Sequence, residues 1–222
     1  MTIESPFGSE GVPAILPRGP HGLDREVVLA SQRGRLLAAF VEEAAEKGYY
    51  AVTIADIVRR AGTAKRTFYE HFADKEECFV RAFEAGSSML VGETVRAGDA
   101  VEDPILRIEA GIRAYVDGLN ALPAWARLFL TDAIAAGPAV ADLWIGWIEL
   151  LADGLIGWRS ESRVSYPQLP ELTKMQAVAV LSAINELIRF EIHRNGVEGV
   201  VAMADELTRL ATALLTVDVT AP

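Results

Sequence analysis

An all-α fold, with a three-helix head near the N-terminal end and a larger helical body after it, is the architecture this sequence predicts. No stretch alternates apolar and polar residues over a useful strand length. Apolar residues recur at helical spacing in nearly every segment after residue 24. Helix-start and helix-stop residues punctuate residues 25–80 often enough to mark three helices and the beginning of a fourth.

The elements follow in order. Residues 1–24, "MTIESPFGSEGVPAILPRGPHGLD", carry prolines and glycines and no period, which predicts a flexible arm. In "REVVLASQRGRLLAAFVEEAAEKG" the residues Leu36, Leu37, Phe40, Val41 and Ala44 form one stripe, and Gly48 stops the helix. In "TIADIVRRAG", Thr53 is a good N-cap, Asp56 sits where a carboxylate favours a helix start, and Ala61-Gly62 ends the element. Ile54, Ile57 and Val58 supply its inner side. A short third helix is predicted over about 63–71, and a fourth from Asp74, with Glu77 at the capping-box position, towards the mid-nineties. "GDAVEDP", "LNALP", "AAGP" and "SRVSYPQLP" then divide the rest into helices at about 104–121, 123–136, 138–160, 171–195 and 199–217. The domains expected are an arm at 1–24, a head at 25–80 and a body at 81–222.

The stretch "AGTAKRTFYEHF" concentrates cationic and aromatic residues in a chain of formal net charge −10. Two short helices joined by a tight turn after a longer one are the parts of a helix-turn-helix, whose last helix enters the major groove of DNA. Phe68 and Phe72, four apart, share one face and pin that helix inward, which leaves Lys65, Arg66, Thr67 and Tyr69 on the other faces. Residues 25–75 hold 9 Lys/Arg against 7 Asp/Glu, while residues 81–222 hold 11 against 19. A polyanion therefore meets the N-terminal part.

With Arg35-Leu36-Leu37, Gly48-Tyr49, "TIADIVRRAG" and "TFYEHFADKEECF" at intact spacing, residues 33–80 resemble the DNA-binding domain of TetR-type transcriptional repressors. The resemblance implies phosphate contacts from Thr53, Tyr69 and His71, a backbone contact from Lys75, and base-edge contacts from Lys65, Arg66 and Thr67. It also implies a helical effector-binding and dimerisation domain behind the head, a palindromic operator and no enzymatic activity. The sequence departs from the family pattern at Thr63, Ala64 and Arg66, and Thr63 stands where it can cap one residue early.

In the body, Trp125 and Phe129 are four apart and Trp144 and Trp147 three apart, spacings that form aromatic stripes. These four, with the amide of Asn185 in the apolar run "AVAVLSAINELI", are the candidate lining for a small apolar or aromatic effector. Core filling is the competing reading for each tryptophan, and a neighbouring helix can satisfy Asn185 as well as a ligand can. The 171–195 helix is apolar on two faces. Val178, Leu181 and Ile188, with Met203, Leu207 and Leu210 of the last helix, are expected to bury against a second copy in a homodimer. The alternative is a constitutive or partner-controlled regulator with no small-molecule effector.

Other classes are excluded by what is missing. His21, His71 and His193 are scattered, and neither a G-x-S-x-G turn nor an H-E-x-x-H pair occurs, so no catalytic residue, metal or cofactor is expected. The single cysteine, Cys78, makes no internal disulfide and suits a reducing cytoplasm. The longest charge-free run, "MQAVAVLSAIN", is too short for the roughly 18–20 residues a membrane span needs, so no membrane partner is expected.

Overall fold

A computed structural model describes residues 6–7, 24–132 and 138–217 of the chain. Arg18 and His21 of the predicted arm, and residues 133–136 of the predicted 123–136 helix, lie outside the described residues. Within them the protein is helical throughout. The helices are α1 (Arg25–Lys47), α2 (Ile54–Ala61), α3 (Lys65–His71), α4 (Lys75–Asp99), α5 (Pro104–Ala121), α6 (Pro123–Arg127), α7 (Pro138–Ser165), α8 (Lys174–Asn195), α9 (Val197–Ala202) and α10 (Ala204–Thr216). A π-helical turn, Leu128–Asp132, continues α6. The predicted 199–217 helix is thus two elements that meet at Met203, where no glycine or proline announces the break.

The chain forms two compact units. One comprises Met1–Leu90 with Ala121–Ala136, the other Val91–Asn120 with Gly137–Pro222. The core of the first gathers Leu36, Phe40, Ile57, Phe68, Phe72, Phe79 and Phe83 with Trp125 and Phe129, all buried. Segment Ala121–Ala136 joins this unit through its rings. The Trp125 indole N–H donates to the Ala82 carbonyl at 3.1 Å, and Phe129 lies 4.9 Å from Phe79, centroid to centroid. Gly86 makes that approach possible, because a Cβ there would meet Trp125 Nε1 at 2.1 Å.

In the second unit, α7 and α10 pack on α8, whose buried residues are Ala177, Val180, Ile184, Ile188 and Ile192. The inward face joins Val180 and Ile184 to Ile188 of the stripe expected to meet a second copy. Ile188 and Leu207, expected at a subunit contact, have no exposed surface and belong to the chain's own core. Val178, Leu181, Met203 and Leu210 are half-buried. Among the large apolar residues of α8, Met175, Leu187 and Phe190 are exposed.

Candidate nucleic-acid interface

The head is assembled by charge as well as by apolar packing. Glu43 of α1 is buried, and its carboxylate is paired with Lys47 at 2.5 Å, Arg60 at 2.9 Å and Arg59 at 3.4 Å. Arg60 also reaches Glu42 and Glu46, and Lys47 reaches Asp56 at 3.0 Å. This network ties α2 to α1. Lys47's hydrogen bond, with support from Arg60, holds the Glu43 carboxyl below its usual range despite burial. The Thr53 hydroxyl, then Lys47 and the Thr53 N–H, hold Asp56 lower still.

Both carboxylates release protons more readily in the folded chain than in the unfolded one. Their contribution is therefore complete above ordinary carboxylate pKa values and is lost as pH falls through the lowered ones. The melting temperature is expected to fall below about pH 4. It should fall less steeply in Glu43→Gln, which starts lower. A parent curve flat down to pH 3 would remove the network from the head's stability.

α2 starts with a complete capping box. Asp56 N–H donates to the Thr53 hydroxyl, and Thr53 N–H donates to the Asp56 carboxylate. Thr53 is thereby engaged at the helix N-terminus, where phosphate would also bind. α2 ends at Gly62, whose φ of +63° favours glycine. α3 then begins at Lys65 behind Ala64, which offers no side-chain cap. The early cap expected of Thr63 is not made, since its buried hydroxyl has no hydrogen-bond partner.

On α3 the sequence pattern becomes geometry. Phe68 and Phe72 are buried with ring centroids 5.4 Å apart. On its remaining surface Lys65, Arg66 and Tyr69 are exposed and Thr67 is half-buried. Among the described residues Arg66 pairs with Glu70, i,i+4, at 3.1 Å, and its side chain is 91 % exposed. Tyr69 packs edge-on against Phe68 and is 57 % exposed.

Two of the residues expected at phosphates sit in other surroundings. The Lys75 ammonium donates to the carbonyls of Tyr49 at 2.8 Å and Val52 at 3.0 Å and lies 4.4 Å from the Tyr49 ring centre. It ties the start of α4 to the α1–α2 loop. His71 is half-buried with an unpartnered Nε2, and burial, helped by the Arg33 charge, lowers its pKa, which disfavours the cationic form a phosphate would want. Sequence reasoning missed the Lys75 carbonyl clamp and the Glu43 cluster. The clamp had no signal in the sequence. The cluster had one, a glutamate inside the apolar stripe of α1.

The candidate effector residues are distributed over both units. Trp125 and Phe129 are in the first, 4.9 Å apart and deep in its core. Trp144, Trp147 and Asn185 belong to the second, where both tryptophans are half-buried. The Asn185 amide has internal partners. Its oxygen accepts from the Tyr115 hydroxyl at 3.0 Å and its nitrogen donates to the Leu181 carbonyl at 2.9 Å. Among the described residues no group of three or more His, Cys, Asp or Glu is placed to hold a metal ion, and no helix is long and apolar enough to cross a membrane. Cys78 is a buried thiol whose pKa burial pushes up.

Residues 36–82 match the model of the family described as bacterial regulatory proteins, tetR family. The HTH-type transcriptional activator FasR of Mycolicibacterium smegmatis is 27% identical over 125 residues, which is 56% of this chain and 57% of that protein. The uncharacterized HTH-type transcriptional regulator YxbF of Bacillus subtilis is 30% identical over 102 residues, 46% of this chain and 26% of that protein. The chain thus spans less than two thirds of the length of these curated relatives. The solved structure of the transcriptional regulator FadR from Bacillus subtilis in complex with stearoyl-CoA matches with a TM-score of 0.69 at 17% identity, covering 81% of this chain and 97% of that one. At that identity the likeness is one of fold.

Proposed function

We infer from this chain's membership of the tetR family of bacterial regulatory proteins that it binds duplex DNA as a homodimer and regulates transcription from a palindromic operator. The observation that carries the reading is α3 itself, anchored by Phe68 and Phe72 on one side and presenting Lys65, Arg66 and Tyr69 on the other. Two such helices in a dimer read half-sites about 34–36 Å apart, or a multiple of that. Thr53 and Thr67 complete the contact surface. Met175, Leu187 and Phe190, exposed on α8, with the half-buried Val178, Leu181, Met203 and Leu210, are the surface proposed for the second copy. The protein works in the cytoplasm, where the operator is.

Repression relieved by a small apolar ligand is the reading proposed for its control. The stearoyl-CoA of the FadR structure and the half-buried Trp144 and Trp147 support an apolar effector. By linkage, ligand and operator weaken each other's binding by the same factor. Activation is the second reading, favoured by FasR, which is a transcriptional activator. A reporter placed behind the selected operator gives the sign directly.

Selection and sequencing of bound DNA fragments, followed by titration at rising salt, tests the DNA reading. Lys65→Ala is expected to weaken operator binding about tenfold and to relax base preference at the position it reads. Tyr69→Phe should weaken it by a smaller factor, about 1 kcal/mol or less, since it loses one hydrogen bond. Neither variant should change the melting temperature, because both side chains are exposed. Parent-like binding by both would sink the assignment of α3.

A further inference from the structure

Arg159 on α7 is 1 % exposed, yet among the described residues no carboxylate pairs with it. Its one hydrogen bond, from Nη1 to the Pro170 carbonyl at 3.5 Å, is at the outer limit for such a bond, and its buried Nε has no acceptor. The guanidinium carbon lies 5.4 Å from the centre of the Trp158 ring, and the Trp158 indole N–H is likewise buried without an acceptor. Two further cations stand close. Arg107 lies 5.8 Å from the same ring but is neutralised by Asp99, and Arg163, one turn further along α7, is neutralised by Glu171 at 2.7 Å. Arg159 is the one left uncompensated. Burial and the Arg163 charge both act against its protonated form.

A buried charge without a counter-charge is costly, and a guanidinium cannot escape the cost by losing its proton as a lysine does. The region offers donors, an indole N–H and a guanidinium fork, in want of an acceptor. That fork matches a carboxylate or phosphate in two parallel hydrogen bonds. Leu155, one turn before Arg159, and Ala152, two turns before it, make the same face of α7 apolar. We propose that the Trp158–Arg159 end of α7 is an anion site that takes the acidic head, carboxylate or phosphate, of an amphiphilic ligand. Its apolar tail runs along the half-buried Leu155. The proposal rests on the reading that this unit takes a small molecule.

The test is thermal melting and calorimetric titration of the full chain with dodecanoate, dodecanoyl-CoA, dodecanol, free coenzyme A and inorganic phosphate. At least one anionic probe is expected to raise the melting temperature and to bind more tightly than dodecanol. A response to dodecanoate without one to coenzyme A identifies a carboxylate site. Responses to dodecanoyl-CoA and coenzyme A identify a phosphate site. Arg159→Met should weaken the anionic probe by about tenfold or more and erase the preference over dodecanol. The same variant should melt no lower than the parent when ligand-free, since it removes an uncompensated charge. Trp158→Phe keeps the ring, loses the N–H and should weaken binding by a smaller factor. Indifference of the parent to every probe, equal binding of dodecanol, or retained anion binding in Arg159→Met each overturns the site. Operator binding measured on the same samples keeps the two readings apart, because a chain that binds DNA and ignores all five probes loses only the anion site.

Discussion

Phe68→Ala is expected to lower stability by about 3–5 kcal/mol and to abolish retention of operator DNA. Phe68 has no exposed surface and touches both flanking rings, with centroids 5.4 Å from Phe72 and 5.6 Å from Tyr69. α3 has only seven residues and starts behind an alanine that cannot cap it. A helix that short does not hold itself together in water, so its order comes from the tertiary anchor. Removing the ring therefore costs both buried area and the cavity left behind, and it frees the element that carries Lys65 and Arg66. Circular dichroism melts and DNA retention are the measurements. A variant that melts within about 1 kcal/mol of the parent would show that other contacts anchor α3.

Gly86→Ala is expected to destabilise by about 1–3 kcal/mol from overpacking, and more if the Trp125 hydrogen bond is lost with it. An added Cβ would stand 2.1 Å from Trp125 Nε1 and 2.4 Å from its Cε2. The indole has nowhere to go. It is buried, stacked near Phe83 at 6.2 Å and set 4.9 Å from Phe129. Helix propensity alone predicts the opposite, a gain approaching 1 kcal/mol for alanine over glycine inside a helix. Gly92 of the same helix supplies the control, because a Cβ there meets nothing within 4 Å, and Gly92→Ala should stabilise. If Gly86→Ala also stabilises, the close approach of α4 and α6 is not as described. A shift of tryptophan emission with the destabilisation would locate the damage at Trp125.

Local chemistry explains what was legible in advance. The Thr53–Asp56 capping box, the Gly62 stop and the inward pair Phe68 and Phe72 follow from spacing within one turn or two, so residues 53–72 could be read directly. The same logic placed the exposed Lys65, Arg66 and Tyr69. It did not foresee the carbonyl partners of Lys75 or the missing cap at Thr63. Lys75's partners are carbonyls of Tyr49 and Val52, more than twenty positions away, and Thr63's hydroxyl is buried without one. A charged residue after a turn carries no mark of whether its neighbour is a phosphate or the chain's own backbone.

Taken by itself, the sequence determined the helical class, the order of the elements and the face of α3 that is turned inward, since each rests on contacts between residues three or four apart. Only the tertiary structure decided which residues of α8 are core, that Trp125 and Phe129 join the first unit, and that Arg159 is buried with no carboxylate among the described residues to meet it. Those outcomes depend on what another helix brings alongside. A periodic stripe reports that a face will be buried, and its partner is fixed by packing between segments far apart in the chain.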